Sequence, residues 1–277
     1  MIEINKIEDK AMYKIGLSTK GCQPNEEMFK GMSEAGISAV EISLPLELCS
    51  AIRYKELATL SNRYGIMLWS FHLPFQPFEQ LDISSIQKEV REYTIGYWTE
   101  LIKKGANIGI DKFIVHPSAE PIEEKRRSEN LKYSMESLDR LAEIAYAEGA
   151  AIAVEDLPRT CLGNSADEIG KLISVNDKLR VCFDTNHLLL DDHISFIKKL
   201  GSKIITLHVS DYDFINERHW LPGKGKIDWK ALVEALIKAE YKGVWMYEVA
   251  LENYTFEEFY KNGKTIITGR QTWFLEG

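Results

Sequence analysis

AIAVEDLP, residues 151–158, is an apolar run that ends on a pair of carboxylates, and it sets the pattern for the whole chain. A buried strand gains nothing from a charged end, because burying a carboxylate or an imidazole costs several kcal/mol unless it is paired or bound to a metal. Five further runs end on an ionisable residue: MLWSFHLP (67–74), KFIVHPS (112–118), LRVCFDTNH (179–187), KIITLHVSD (203–211) and GVWMYEVA (243–250). If these runs are parallel strands, their carboxyl ends meet at one mouth, and we predict an active site there.

The apolar runs alternate with longer amphipathic stretches, several of which close on a glycine that favours a helix C-cap. The runs are continuous rather than alternating, which is typical of parallel strands covered on both faces. The predicted strands are Tyr13–Leu17, Ala39–Ser43, Met67–His72, Lys112–His116, Ala151–Glu155, Leu179–Asp184, Ile204–His208 and Val244–Glu248. Eight such units predict an α/β fold, a (β/α)8 TIM barrel in a single domain over residues 1–277. The alternative is a doubly wound open sheet, which would usually carry a glycine-rich phosphate turn that this sequence lacks.

The composition is ordinary for a soluble globular protein and can bury a full core. The 277 residues are 45% hydrophobic and carry a net charge of −8, which disfavours nucleic acid as a partner. None of the four cysteines forms a C-x-x-C pair, so we expect neither a disulfide framework nor a cysteine metal cluster. Residues 1–14 lack the apolar segment of a signal peptide, and no apolar run is long enough to span a membrane. A reducing, cytoplasmic location fits these features.

Four residues at the ends of the last four predicted strands form a hard, oxygen-rich set: Glu155, Asp184, His208 and Glu248. Such a set suits a divalent metal, Mn²⁺ or Mg²⁺ first, with Co²⁺ or Zn²⁺ as alternatives. Each residue taken alone could instead cap a helix or pair with a cation, but all four together favour a site.

A second set of four histidines is ambiguous, since each could bind substrate or metal or be a satisfied core residue: His72, His116, His187 and His219. The loop HWLPGKGKIDW, residues 219–229, is expected to hold His219 over the site and to end at Asp228 as a helix cap. His193, which follows two aspartates in a polar loop, is expected at the surface.

Five blocks of sequence carry a family resemblance: AVEDLPRT (153–160), CFDTNH (182–187), LHVSD (207–211), HWLPGKGKIDW (219–229) and MYEVA (246–250). They resemble the sugar phosphate isomerase/epimerase family of the xylose isomerase-like TIM-barrel superfamily. That superfamily includes ketose 3-epimerases, hydroxypyruvate isomerase, inosose dehydratase and type-IV apurinic endonucleases. The resemblance runs from about the second predicted strand to the eighth.

In the ketose epimerase branch, the resemblance implies the same four metal ligands that the strand ends suggest. It also implies that Glu155 and Glu248 exchange the substrate proton and that His187 binds substrate. His219 lies near the position of a substrate-binding arginine. Arg159 stands where those epimerases have a glutamate that contacts substrate, and it could bind a carboxylate or a phosphate instead.

We therefore expect a metal-dependent sugar or sugar-phosphate isomerase/epimerase that acts on a small sugar, and the family often forms homo-oligomers. One alternative is a multi-metal phosphodiesterase like the type-IV apurinic endonucleases, for which His72, His116, His187 and the Glu217–His219 triplet would be further ligands. A polyol or inosose dehydratase starts from the same proton abstraction. A barrel that binds without turnover ranks last, because all four ligands are present.

Overall fold

The computed structural model describes residues 13–269, and these residues form a nearly closed barrel of eight parallel strands surrounded by helices. The strands, numbered β1 to β8, are Ile15–Ser18, Ala39–Ser43, Met67–His72, Lys112–Val115, Ala151–Glu155, Arg180–Asp184, Ile204–His208 and Trp245–Tyr247. The (β/α)8 fold predicted from the sequence is confirmed. The N-terminal segment expected to lack a signal peptide lies almost entirely outside the described residues.

The strand order shows why the open-sheet alternative is wrong. Each strand pairs with its neighbours in sequence, and β1 pairs in parallel with both β2 and β8. The seam between β7 and β8 is closed by a parallel bridge between Val209 and Tyr247. There the Val209 N–H donates to the carbonyl of Met246 at 2.8 Å, and the Glu248 N–H donates to the carbonyl of Val209 at 3.1 Å.

The helices that cover the barrel, numbered α1 to α9, are Glu26–Ala35, Leu46–Cys49, Tyr54–Tyr64, Lys88–Ala106, Arg127–Ala147, Ala166–Ile173, His193–Leu200, Trp229–Lys238 and Phe256–Thr268. Short 3₁₀ turns precede α5, β7 and α9. Among the described residues, no helix is both long and apolar enough to cross a membrane.

Side-chain caps fix where several helices begin. The Ser165 side chain accepts the N–H of Glu168 at the start of α6. Asp228 accepts the N–H of Ala231 at the start of α8, which confirms its predicted role. Asp192 caps α7 by accepting two backbone N–H groups, so α7 begins at His193.

The strands are buried on both faces, which explains their continuous apolar runs. Strand boundaries differ from the predictions by one or two residues. The first strand starts at Ile15 rather than Tyr13, β4 stops at Val115, and β8 stops at Tyr247. His116 and Glu248 therefore lie just beyond their strands, where the backbone turns into the mouth of the barrel.

Candidate active site

The carboxyl ends of the last four strands bring four predicted ligands together at the mouth. The ligand atoms of these residues all lie within 4.8 Å of one another: Glu155, Asp184, His208 and Glu248. We call this group the cage. His208 Nδ1 is central to it, at 2.7 Å from Glu155 Oε1, 3.8 Å from Asp184 Oδ2 and 3.9 Å from Glu248 Oε2. The sequence-based expectation that these strand ends converge is met by the geometry.

The cage contains carboxylate oxygens that have no protein donor. Asp184 Oδ2 and Glu248 Oε2 are both buried, and neither accepts a hydrogen bond from any residue in the described range 13–269. The other oxygen of Asp184 is occupied, because it accepts the Asn186 N–H at 2.6 Å. Buried acceptors without donors are rare in native proteins, and a cation would satisfy them. The donor set, three carboxylates and one imidazole, fits a divalent ion without identifying which one.

Burial and nearby charges shift the pKa values of the cage residues in opposite directions. Burial alone would raise the pKa of Glu155, but His208 and hydrogen bonds from His116 and His72 outweigh it and hold that pKa well below its usual range. Burial also opposes the charge on Glu248, whose pKa is nevertheless lowered by Lys20 and by nearby histidines. Burial raises the pKa of Asp184 well above its ordinary value, since the charge of His187 only partly offsets it.

Two more predicted residues contact the cage through Glu155. His72 Nε2 and His116 Nε2 lie 3.0 and 3.2 Å from Glu155 Oε2. His72 Nδ1 donates to the carbonyl of Leu73 at 3.0 Å, so its other nitrogen faces the site. A histidine tied through one ring nitrogen to a carbonyl is the usual arrangement of a metal ligand. The contacts to Glu155 leave two roles open for these histidines, hydrogen bonding to that carboxylate or ligation of a metal.

A second group that could hold a metal lies beside the cage, made of His187, Glu217 and His219. His187 Nδ1 donates to the carbonyl of Asp156 at 2.8 Å, and its Nε2 lies 2.9 Å from Glu217 Oε1. Hydrogen bonding to His187 and Arg159 lowers the pKa of Glu217 to about 2, although burial acts in the other direction. We call this group the rim triad.

Arg159, a predicted substrate-binding residue, lines the same cavity with its guanidinium already engaged. It donates to Glu217 and to both oxygens of Glu120, with 2.7 Å between its NH2 group and Glu120 Oε2. These two carboxylates raise the pKa of the guanidinium despite its partial burial. In this arrangement Arg159 holds Glu217 toward His187.

His219 reaches the cage from the loop after β7, as predicted. Its Nδ1 lies 3.5 Å from Glu248 Oε2 and 3.4 Å from Ser210 Oγ, and burial lowers its pKa to about 4. The loop is shaped by Asp211, whose carboxylate accepts the N–H groups of Gly223 and Ile227 and the indole N–H of Trp229. The irregular loop 219–229 is therefore fixed by one buried carboxylate.

The cage and the rim triad open into a cavity of about 250 Å³. Its aromatic wall is formed by Phe75 and Phe78, and Phe75 stacks on His116 with 3.9 Å between ring centroids. Four other aromatic residues from the strands and the loop after β7 lie outside this lining. Phe71 and Trp245 are fully buried in the core, Trp69 is half-buried and donates its indole N–H to Thr206, and Trp220 is 38% exposed.

Sequence reasoning missed two charged residues and misplaced one. Lys20 follows β1 with φ 41° and puts its Nζ 3.5 Å from Glu248 Oε1. Glu41 is fully buried within β2, and its carboxylate contacts His208. A charged residue inside the apolar run AVEIS was the signal that could have found it. His193, expected at the surface, is buried at the start of α7, because its Nε2 donates to the carbonyl of Thr185 at 2.7 Å.

The chain belongs to the xylose isomerase-like TIM barrel family, which it matches over residues 29–273. The resemblance stated from the sequence blocks is thereby confirmed. Over 258 residues it is 26% identical to the D-psicose 3-epimerase of Ruminiclostridium cellulolyticum, a match that covers 87% of this chain and 80% of that protein. That relative is a sugar 3-epimerase, and such enzymes belong to the isomerase class, as predicted.

Two further proteins are similar to this chain, one in part of its sequence and one in its fold. A 26% identical match of 137 residues to the uncharacterized protein y4fM of Sinorhizobium fredii covers 47% of this chain and 44% of that protein, so it spans less than half of the relative. A crystal structure of a D-tagatose 3-epimerase-like protein superposes with a TM-score of 0.80 at 24% identity, over 92% of this chain and 98% of that chain. At that identity the superposition shows the fold.

Proposed function

We propose that this protein is a metal-dependent sugar epimerase or isomerase that works by proton transfer. The observation that carries the proposal is the cage, whose four residues bring their ligand atoms within 4.8 Å of one another. Two of these residues, Glu155 and Glu248, line a cavity large enough for a small molecule. The similarity to D-psicose 3-epimerase supports a small keto sugar as the substrate. The proposed ligands are all four cage residues, with Mn²⁺ or Mg²⁺ as the first candidates and Co²⁺ or Zn²⁺ next.

A divalent ion bound in the cage would supply a Lewis acid, which acidifies the C–H between two substrate oxygens and stabilises the resulting enediolate charge. One of Glu155 and Glu248 would take the proton as a base, and the other, carrying a proton, would deliver it to the opposite side of that carbon. Return to the same carbon from the other face is epimerisation, and return to the neighbouring carbon is isomerisation. Surrounding positive charge lowers the pKa of both glutamates, which suits whichever of them starts the reaction as the base.

Five other residues would bind the substrate from the walls of the cavity: His72, His116, Arg159, His187 and His219. The imidazoles of His187 and His219 would hold hydroxyl groups. Because Arg159 is engaged by two carboxylates, it would contact a sugar hydroxyl through a donor left free rather than bind a phosphate alone.

The proposal is tested by deuterium wash-in on metal-loaded protein, screened over ketoses, sugar phosphates and keto-inositols. Wild-type protein should exchange one substrate proton, and Glu248→Gln should reduce that exchange by about 10²–10⁴-fold, since it removes one proton-transfer group. Glu143→Gln, the same change at an exposed ion pair with Lys178, is the matched control and should exchange like wild type. Full exchange by purified, metal-loaded Glu248→Gln would contradict the mechanism.

A second candidate function, a multi-metal phosphodiesterase, is favoured by the rim triad and by the two histidines on Glu155. It predicts two or three tightly bound ions per chain and nicking of duplex DNA at abasic sites. The net charge of −8 weighs against a nucleic-acid substrate. One ion per chain by elemental analysis, together with no nicking, would rule it out, and the same count would support the epimerase.

A further inference from the structure

A fully buried carboxylate lies on the opposite side of His208 from the cage. Glu41 sits in the middle of β2, and its Oε1 and Oε2 lie 3.0 and 3.1 Å from His208 Nε2. Ser70, on β3, donates its hydroxyl to Glu41 Oε2 at 2.7 Å. The side chains of Glu41, Ser70 and His208 are all completely inaccessible to solvent. A carboxylate buried this deeply costs several kcal/mol unless its partners compensate, so packing alone does not explain it.

The two nitrogens of the His208 ring serve different partners. Nε2 faces Glu41, whereas Nδ1 faces Glu155 Oε1 at 2.7 Å and the rest of the cage beyond it. Both nitrogens thus face a carboxylate, which can only accept a hydrogen bond from the ring. A cation in the cage would take Nδ1 and Glu155 as ligands, and the ring proton would then remain on Nε2, where Glu41 accepts it. The lone pair of a neutral His208 is then left on Nδ1, directed into the cage. In metal centres a carboxylate on the remote nitrogen of a ligating histidine fixes both its tautomer and its orientation.

We propose that Glu41 is the positioning residue of the metal centre, holding His208 in the Nε2–H tautomer with Nδ1 aimed at the ion. Ser70 orients Glu41 in turn, so the chain of contacts runs Ser70, Glu41, His208 and then the cage. The inference rests on the proposed function, because it assigns Glu41 a task only if the cage binds a cation. It adds a residue from β2 to a centre whose other members come from β5 to β8.

The test measures metal affinity directly rather than turnover. Protein stripped with EDTA is titrated with MnCl₂ by calorimetry, for wild type, Glu41→Gln and Glu168→Gln. The glutamine at 41 keeps the shape and an acceptor oxygen but removes the carboxylate, and we expect Mn²⁺ binding about 10–100-fold weaker than wild type. Glu168→Gln makes the same change on the outer helix α6, where Glu168 pairs with Arg127, and should bind Mn²⁺ like wild type.

A second readout separates positioning from a purely structural role. In Mg²⁺-loaded protein, where Nδ1 would bind the ion, ¹⁵N–¹H spectra should show the Nε2–H of His208 shifted downfield and slow to exchange with solvent in wild type. In Glu41→Gln the same signal should be less shifted and exchange faster. If Glu41→Gln does not fold, Ser70→Ala replaces it, since that variant removes only the hydroxyl that orients Glu41. It should weaken Mn²⁺ binding in the same direction by a smaller factor.

The outcomes distinguish the two proposals. If wild type binds no divalent ion, the proposed function fails first. If wild type binds Mn²⁺ and the Glu41→Gln affinity lies within twofold of it with the Nε2–H signal unchanged, the role of Glu41 is refuted while the metal centre stands. The role of Glu41 is likewise refuted if Glu41→Gln does not fold and Ser70→Ala binds Mn²⁺ as tightly as wild type.

Discussion

Replacing Asp184 with asparagine should stabilise the metal-free protein and abolish its stabilisation by metal. Asp184 is fully buried, and its Oδ2 accepts no hydrogen bond from residues 13–269. Its folded-state pKa is raised by burial, so the folded chain binds this proton more tightly than the unfolded chain. The contribution of Asp184 to the free energy of unfolding therefore falls as the pH rises above the ordinary aspartate range. At pH 8 the buried Asp184 therefore lowers the free energy of unfolding of the metal-free protein.

The asparagine keeps the Oδ1 acceptor for the Asn186 N–H and presents an amide donor to the oxygens of the cage. Relief of one unsatisfied buried acceptor is worth about 1–3 kcal/mol. For a chain of this size each kcal/mol moves the Tm by about 2–4 °C, so the metal-free variant should melt about 2–12 °C above wild type. Metal at about 100 times its Kd should stabilise wild type by about 2.7 kcal/mol, or about 5–11 °C, and the variant hardly at all.

The assay is differential scanning calorimetry at pH 8, with EDTA and then with saturating Mn²⁺. Asp192→Asn is the matched control. Asp192 caps α7, and hydrogen bonding lowers its pKa, whereas burial raises the pKa of Asp184. That variant should lose less than about 1 kcal/mol, since asparagine also caps helices well, and it should keep the full metal shift. A metal-free Asp184→Asn protein that melts below wild type, or one that keeps the wild-type metal shift, would refute the reasoning.

Three further predictions concern other parts of the molecule. Burial raises the pKa of Cys49 to about 11, so at pH 8 only about one thiol in a thousand there is ionised, and a thiol reagent should label only the exposed Cys22 rapidly in native protein. Rapid native labelling of a second thiol would contradict this. Lys20→Met should lower kcat/KM for proton exchange by about 10²-fold, because it removes the cation beside Glu248. Lys20→Arg keeps a positive charge there and should retain more of this activity. Equal activity of both variants and wild type would disprove the role of Lys20. Gly225→Ala would bring a methyl group within 2.3 Å of backbone and carboxylate oxygens, so urea denaturation should show a loss of about 1–3 kcal/mol, and an unchanged midpoint would count against the loop packing.

The barrel was predictable because the burial of its strands leaves a direct pattern of apolar residues in the sequence. Strands covered on both faces must be apolar throughout, so a polar residue at a run's end stands out, as at Glu155 and Asp184. Parallel order then brings those ends together without further information. Exact strand limits were less accessible, since a residue such as His116 can lie on either side of a boundary without changing the pattern.

The features that the sequence did not reveal depend on contacts between distant segments. Glu41 lies in a run whose pattern predicts a strand whichever buried residue stands at that position. Its role becomes visible only through its contact with His208 on β7. Phe75 and Phe78 lie in a loop without periodicity, so no pattern points them to the cavity. Arg159 was recognised as a cavity residue, but its two carboxylate partners come from separate loops.

The seam between β7 and β8 gives the cage a consequence for cooperativity. This last junction of the barrel is joined at the mouth by the backbone of Val209 and Glu248, each of which is a cage residue or adjoins one. An ion held by both His208 and Glu248 would cross-link the two strands where the barrel closes. Loading would then slow amide exchange most along the seam, and chelation would free the two ends of the sheet to part before the remaining strands do. The same ion would thus stabilise the closure of the barrel as well as take part in the chemistry.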